Sequence, residues 1–466
     1  MSTHWLSEIK SALRLAVPMA ASQLAMFSLS LTDSIMCGQL GATQLAGAAL
    51  GTTFSVMLWV PASGVLGAVA PLCAHARGAH EPDQIRTTLQ QALGLCFLLW
   101  LPLLLFMSLS RPIFELLGQP ADLIEIAESY LQACRWGLWP ALGVTVLRSF
   151  LESMARPRPA LVITISGVFF NILANWLLIF GKWGFPALGV AGTGWATSCV
   201  NLWMFLCLWC WCRSQPTLKP YLTLQKFAFN PTTLRKILRL GLPLGAGVLA
   251  EVWVFMGVAF LMGHFGTHAL AAHQIAINIA SGSFMVALGI ANASTVRVGE
   301  AMGQKKYTQA RQAGITGMCM GMSFMGCIGL MLWFFPGFLI GFYLDLRAAS
   351  HQSVIALSTS LLRIAALFQI FDALQVTSQG ALRGLQDTRI PMLISLGSYA
   401  GIGLGSGMIL AYGFAWHETG LWIGLTLGLL TSGLALSGRF LSYFLTPKPT
   451  QLETGEVCLI KSETNS

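Results

Sequence analysis

Three acidic side chains stand where carboxylates are expensive to keep: Asp33, Glu251 and Asp372 each fall inside an apolar stretch long enough to cross a bilayer. A carboxyl near the middle of a membrane helix costs about 2.5 to 3.5 kcal/mol on insertion scales, so its presence calls for a use. Glu251 interrupts LRLGLPLGAGVLAEVWVFMGVAFLM (Leu238 to Met262), and Asp372 lies in LFQIFDALQ. In a low-dielectric interior an unpaired carboxylate either takes up a proton or holds a cation beside it. Binding of H+ or Na+ is therefore the chemistry these residues predict. The structural alternative is local: a hydrogen bond to helix backbone, or pairing with Arg135 or Arg363, the two bases placed inside spans.

Amides accompany the acids. Asn171 and Asn175 are four apart in one apolar run, hence on one helix face, and can supply amide groups near Asp33. Gln274 and Asn278 repeat the spacing further on; pairs of this kind also serve as interhelical hydrogen bonds. His264, His268 and His273 follow the Glu251 stretch, but two of them fall in a short loop without a carboxylate beside them, which predicts a solvated loop and not a metal site. Cys207, Cys210 and Cys212 in CLWCWC have half-site spacing, yet no second half or nearby His follows, so they are read as small hydrophobes. No phosphate-binding loop with its Lys and no zinc-binding His pair flanking a Glu is present. An enzyme is not expected, nor a cofactor beyond the coupling ion.

The elements that position these residues follow from composition. The 466-residue chain is 55% hydrophobic and 10% charged, against roughly 25% charged residues in a soluble domain. Runs of about 20 apolar residues recur along its length, each able to span a hydrocarbon core. The segmentation gives twelve spans: 13–35, 48–73, 89–110, 127–150, 159–181, 190–212, 238–262, 275–297, 313–341, 355–380, 391–412 and 420–444. The first is too long, and leads to too polar a residue in Asp33, to be a cleaved signal peptide. Of the 27 Lys and Arg, 22 fall on one side of this arrangement, Arg148 and Arg383 among them, and three on the other. Both termini are thus expected to be cytoplasmic. The net charge of +9 is then a matter of topology, and nucleic acid is excluded as a partner because no basic stripe is interleaved with aromatics.

Shifting the sequence by 225 residues places Arg14 on Arg239, Pro18 on Pro243, Gly41 on Gly266, Gly78 on Gly303 and Arg86 on Arg311. Further along the offset grows, to 232 where Pro159 meets Pro391. Each copy holds six spans, an even number, so the repeats are parallel and related by an axis along the membrane normal. The fold class expected is an all-α integral membrane protein of twelve transmembrane helices, in two six-helix lobes around a central cleft. The lobes run 1–214 and 234–446, with a linker at 215–233 and a polar tail at 447–466. Departures from symmetry are informative: Glu251 maps onto Met26 and Asp33 onto Val258, so each acid exists in one copy only.

Pro18, Gln23, Asp33, Met36, Gly38 and Gly41 stand in the order seen in the multidrug and toxic compound extrusion (MATE) family. NILANWLLIFGKWGFPALGVAGTGWAT, LAAHQIAINIAS, VRVGEAMGQ and GALRGLQDTRIP are similar to further motifs of that family. Across nearly its whole length the chain resembles the bacterial NorM-type branch. The resemblance implies a multi-pass protein of the bacterial inner membrane that expels hydrophobic organic cations while protons or sodium ions enter. It also implies that Glu251 and Asp372 bind the coupling cation in the second lobe. Asp33, with asparagines such as Asn175, matches a polar first-lobe site; some relatives carry a second acid there, where NILANW offers only asparagines. Nothing marks a dedicated subunit interface, so a monomer in the lipid bilayer is expected. The alternatives are a flippase for a lipid-linked precursor, which should place several arginines in the cleft, and a membrane-embedded enzyme, which should show a nucleophile and base.

Overall fold

The computed structural model describes residues 2–223, 229–348 and 351–445. The expected polar tail at 447–466 and part of the expected linker, 224–228, lie outside these. The helices in chain order are α1 (Ser2–Gly38), α2 (Ala42–Leu66), α3 (Val69–Gly78), α4 (Pro82–Ser108), α5 (Ser110–Leu116), α6 (Ala121–Cys134), α7 (Leu138–Ser153), α8 (Pro157–Phe180) and α9 (Val190–Ser214). After them come α10 (Pro231–His264), α11 (Thr267–Gly303), α12 (Tyr307–Phe334), α13 (Pro336–Ile340), α14 (Gln352–Gly384), α15 (Arg389–Leu396), α16 (Gly405–Met408) and α17 (His417–Leu445). Eleven helical stretches among the described residues are long and apolar enough to cross a membrane unbroken. The twelfth crossing is α6 with α7, divided by a 3-10 turn at Arg135–Gly137.

Local chemistry sets the helix ends. Asn230 caps α10, its side chain accepting from the backbone N–H of Thr232 and Thr233 at 3.1 Å each, with Pro231 in the first turn where its missing N–H costs nothing. The repeat is written into the turns as well as the sequence. Gly41 and Gly266 precede α2 and α11 with φ of 110° and 108°. His80 and Lys305, 225 apart, take φ of 58° and 59°; Ala155 and Gln386, 231 apart, take 55° and 60°. The same spacing of 231 relates matching backbone bonds, Arg156 N to Leu151 O at 2.9 Å and Asp387 N to Leu382 O at 3.0 Å.

The eleventh crossing departs from α geometry. Between α15 and α16 the chain is π-helical over Gly397–Leu404, and again over Ile409–Gly413. Its glycines bring α17 against its backbone: a Cβ on Gly428 would meet the Gly403 Cα at 2.8 Å, and one on Gly424 would run into Gly407. A side chain on the α17 glycines Gly424 and Gly428 would not permit that approach.

The two bundles touch where the Lys- and Arg-rich loops gather. A Cβ on Gly64 of α2 would lie 2.5 Å from the Gly245 Cα of α10, one on Gly289 would overlap Ala20, and Gly78 and Gly303 abut the opposite lobe's backbone. Ala16, Met19 and Ala74 from one lobe form a small core with Ile290, Ala293 and Val296 from the other. Arg77 pairs with Glu300, and Arg297 with Glu8 at 2.5 Å. All these approaches fall on the basic-end side of Glu251 and of its counterpart Met26. Beyond that level each lobe keeps a core of its own, so the cleft opens at the end opposite the basic loops. Before α10, Leu218 and Leu222 fold into the first-lobe core.

Candidate functional site

In the first lobe α1 carries Asp33 against one face of α8. The i, i+4 spacing of Asn171 and Asn175 brings both amides to Asp33 Oδ1, Asn171 Nδ2 donating at 3.0 Å and Asn175 Nδ2 at 2.6 Å. Thr197 of α9 donates its hydroxyl to Oδ2 at 3.2 Å. Asn175 Nδ2 is shared with Asn171 Oδ1 at 3.2 Å, while Asn175 Oδ1 is buried without a partner. The carboxylate is therefore clamped by three neutral donors, with no base in ion-pair range among the described residues. It faces a cavity of about 380 Å³ that Met26, Trp59, Tyr130 and Thr197 also line. The asparagines meet Asp33 as their spacing predicts; Thr197 joins them unannounced, because a lone hydroxyl in an apolar helix has no distinguishing pattern.

In the second lobe Glu251 of α10 and Asp372 of α14 line a single cavity of about 580 Å³. Its walls are apolar and aromatic, with Phe255, Phe284 and Phe368, together with methionines such as Met256. Among the described residues neither carboxylate accepts a hydrogen bond or joins an ion pair, in contrast to Asp33. Asp372 is 5% exposed. Gln369, one turn earlier on α14, ties that helix to α11 through Ser283, donating from Nε2 at 2.7 Å. Gln274 lines the cavity; Asn278, expected beside it, is exposed and is not among the lining residues.

Besides Asn278, two sequence expectations are corrected. Arg383, counted among the cytoplasmic loop bases, lies in the last turn of α14 and lines the Glu251 cavity, because α14 continues one turn past the boundary set at residue 380. The acids therefore do have a base nearby. Arg148, counted on the cytoplasmic side at the end of the span 127–150, sits inside α7, paired with Glu152 at 3.3 Å and donating to Gln23 Oε1. His273 is not in a solvated loop: it is 1% exposed on α11, with its ring edge-on to Trp422 at 5.7 Å. His264 closes α10 and His268 lies in the first turn of α11, both exposed, so the connection between these helices is only two residues. Arg135 stacks over Trp136 at 5.3 Å in the break between α6 and α7, and Arg363 is exposed on α14; neither pairs with an intramembrane acid. Of the cysteine triplet on α9, Cys212 is buried and Cys210 exposed, on different faces of the helix.

An apolar aromatic cavity with two unsatisfied carboxylates can hold a cation by charge and a flat hydrophobic body by contact. The comparisons with known proteins identify the family. The MatE family model matches residues 18–177 and 243–409, one block in each lobe. The chain is 39% identical over 441 residues to "Probable multidrug resistance protein NorM" of Mesorhizobium japonicum, covering 94% of each. It is 35% identical over 432 residues to "Multidrug resistance protein NorM" of Burkholderia vietnamiensis, covering 92% of each. Among solved structures, an outward-facing multidrug resistance MATE family transporter of the MOP superfamily superposes with a TM-score of 0.85 at 19% identity, over 94% of this chain and 96% of that one. A second MATE structure gives 0.86, also at 19% identity and with the same coverage.

Proposed function

This chain belongs to the MatE family, and from that premise we propose that it is a multidrug efflux transporter, a secondary antiporter exporting hydrophobic organic cations in exchange for inward-moving H+ or Na+. The single observation that carries the reading is the pair of open carboxylates, Glu251 and Asp372, facing one aromatic cavity in the second lobe. Carboxylates already satisfied by protein donors would have little to offer an incoming cation; these two are free to exchange one occupant for another. An entering proton or sodium ion then weakens the hold on an organic cation in the same space, as reciprocal coupling requires. A membrane potential drives each inward elementary charge with about 2.3 kcal/mol per 100 mV, enough for uphill export.

The cleft supports alternating access, since the lobes meet through small residues at one end and part at the other. With the basic loops on the cytoplasmic side of a bacterial inner membrane, as the Lys and Arg distribution favours, the conformation described is open to the outside. The clamped Asp33 serves as an accessory polar site in the first lobe.

The test is efflux of a cationic dye from proteoliposomes under an imposed pH gradient and, separately, a sodium gradient. Glu251→Gln should abolish gradient-driven efflux while the protein still inserts and stays monodisperse. Efflux at the wild-type rate in that variant would remove Glu251 from the coupling site.

A further inference from the structure

The spacing of 231 that relates the turns after α7 and α14 pairs Arg148 with Gln379 and Glu152 with Arg383. In the first lobe the pair closes on itself: Arg148 and Glu152, one helical turn apart on α7, form a salt bridge at 3.3 Å with side chains 14% and 5% exposed. In the second lobe the base has moved to the other position and its acid is gone. Arg383 donates from Nη2 to the neutral Gln379 Oε1 at 2.6 Å, and its buried Nε has no partner. Asp387, one turn on, is taken by Arg439 at 2.7 Å. The guanidinium charge is therefore not cancelled where it stands, and Arg383 lines the same cavity as Glu251 and Asp372.

We propose that Arg383 is a built-in counter-charge of the second-lobe cavity, so that the cavity carries one uncompensated negative charge and takes one monovalent cation at a time. Two carboxylates and one guanidinium, with His273 counted as neutral imidazole, are the ionisable groups among its lining residues. An empty site would then hold a net charge of one in a low-dielectric wall, and a single proton, sodium ion or monocationic drug neutralises it. A dication would overshoot, leaving a net positive site, which the same low dielectric penalises. The inference rests on the antiporter reading and narrows it to monovalent organic cations, exchanged one for one at this site. Arg383 sets the charge count without having to touch the occupant.

The experiment uses the full chain, purified in detergent for equilibrium binding and reconstituted for efflux, with a matched pair of monocationic and dicationic dyes of similar aromatic body. Wild type should favour the monocation. Arg383→Gln should shift the ratio of affinities toward the dication by about tenfold or more, and Arg383→Lys, which restores the charge, should return it to the monocation. Gln379→Glu recreates the local closure of the first lobe and should shift the ratio as Arg383→Gln does, which covers the case in which loss of the guanidinium harms folding. An unchanged ratio in Arg383→Gln and Gln379→Glu, with both proteins monodisperse, overturns the proposal. A wild type that binds the monocation but shows no gradient-driven efflux instead removes the antiporter reading and leaves the charge count to the binding data.

Discussion

Replacing Gly64 by Val should wedge the lobes apart at the basic end and drive the molecule toward the opposite opening. The Cβ built on Gly64 lies 2.5 Å from the Gly245 Cα and 2.9 Å from its N, both backbone atoms of the other lobe that cannot rotate away. Ordinary carbon contacts need about 3.5 to 4.0 Å, so α2 and α10 must separate by about 1 Å or more before any further side-chain atom is placed. Overpacking of this kind costs about 1 to 3 kcal/mol. The cost falls on the conformation in which the basic ends touch and not on one in which they have parted. A difference of about 1 to 3 kcal/mol moves a two-state ratio by about 5- to 150-fold. Spin labels at Gln39 and His264, exposed residues 225 apart at the far ends of α1 and α10, read that ratio as a distance distribution, with the accessible native cysteines replaced. Wild type should give a long distance, and Gly64→Val a new short population as the outer ends close. A variant of normal thermal stability with an unchanged distribution would show that the glycine contact does not hold the closed end.

Two further outcomes concern the polar residues inside the first lobe. Arg148→Ala strands Glu152, 4% exposed, without its guanidinium; breaking a buried pair from one side costs about 3 to 5 kcal/mol. A thermal melt in detergent should show the loss, and pairing the change with Glu152→Gln should recover much of it. Asn175→Ala removes the 2.6 Å donor to Asp33, a hydrogen bond to a charged group and so worth about 1.5 to 3 kcal/mol. It should lower the melting temperature, and a variant as stable as wild type would show that the clamp leaves Asp33 unrestrained.

Much of this arrangement could be read from the sequence because the signals that carry it are repeated or periodic. The apolar runs mark the crossings, and the paired glycines at 41 and 266 mark the register of the two copies, which their matching φ angles share. The four-residue spacing of Asn171 and Asn175 put both amides on the face that meets Asp33. What escaped was governed by helix length and by contacts between distant segments. The apolar run fades near residue 380, which by hydropathy puts Arg383 in a loop, yet hydropathy marks where lipid ends, not where a helix ends. Residues 372, 376, 379 and 383 recur at helical spacing, so extending the helix by one turn would have put the guanidinium on the face of Asp372. His273 escaped for a related reason: the connection after α10 is only two residues long, so the histidine that looked like part of a loop lies two turns into the next helix. The break at Arg135–Gly137 and the π geometry near Tyr399 left no comparable mark.

The two lobes share a scaffold but distribute charge over it differently, and this bears on where coupling can occur. In the first lobe both acids are answered from within: Asp33 by three neutral donors and Glu152 by Arg148. A cation arriving there competes with contacts already made and gains little from a charge that is already held. In the second lobe Met26 has become Glu251 and the Arg148–Glu152 closure has become Gln379 and Arg383, so acids and base are left facing a common space. An ion entering that space changes its net charge, and every other charged occupant must respond at short range through a low dielectric, where electrostatic interactions are strong. The scaffold needs neither arrangement in particular, since it folds around both. The open one is the one that lets a bound ion alter the affinity for a second cation, which is the minimum an exchanger requires.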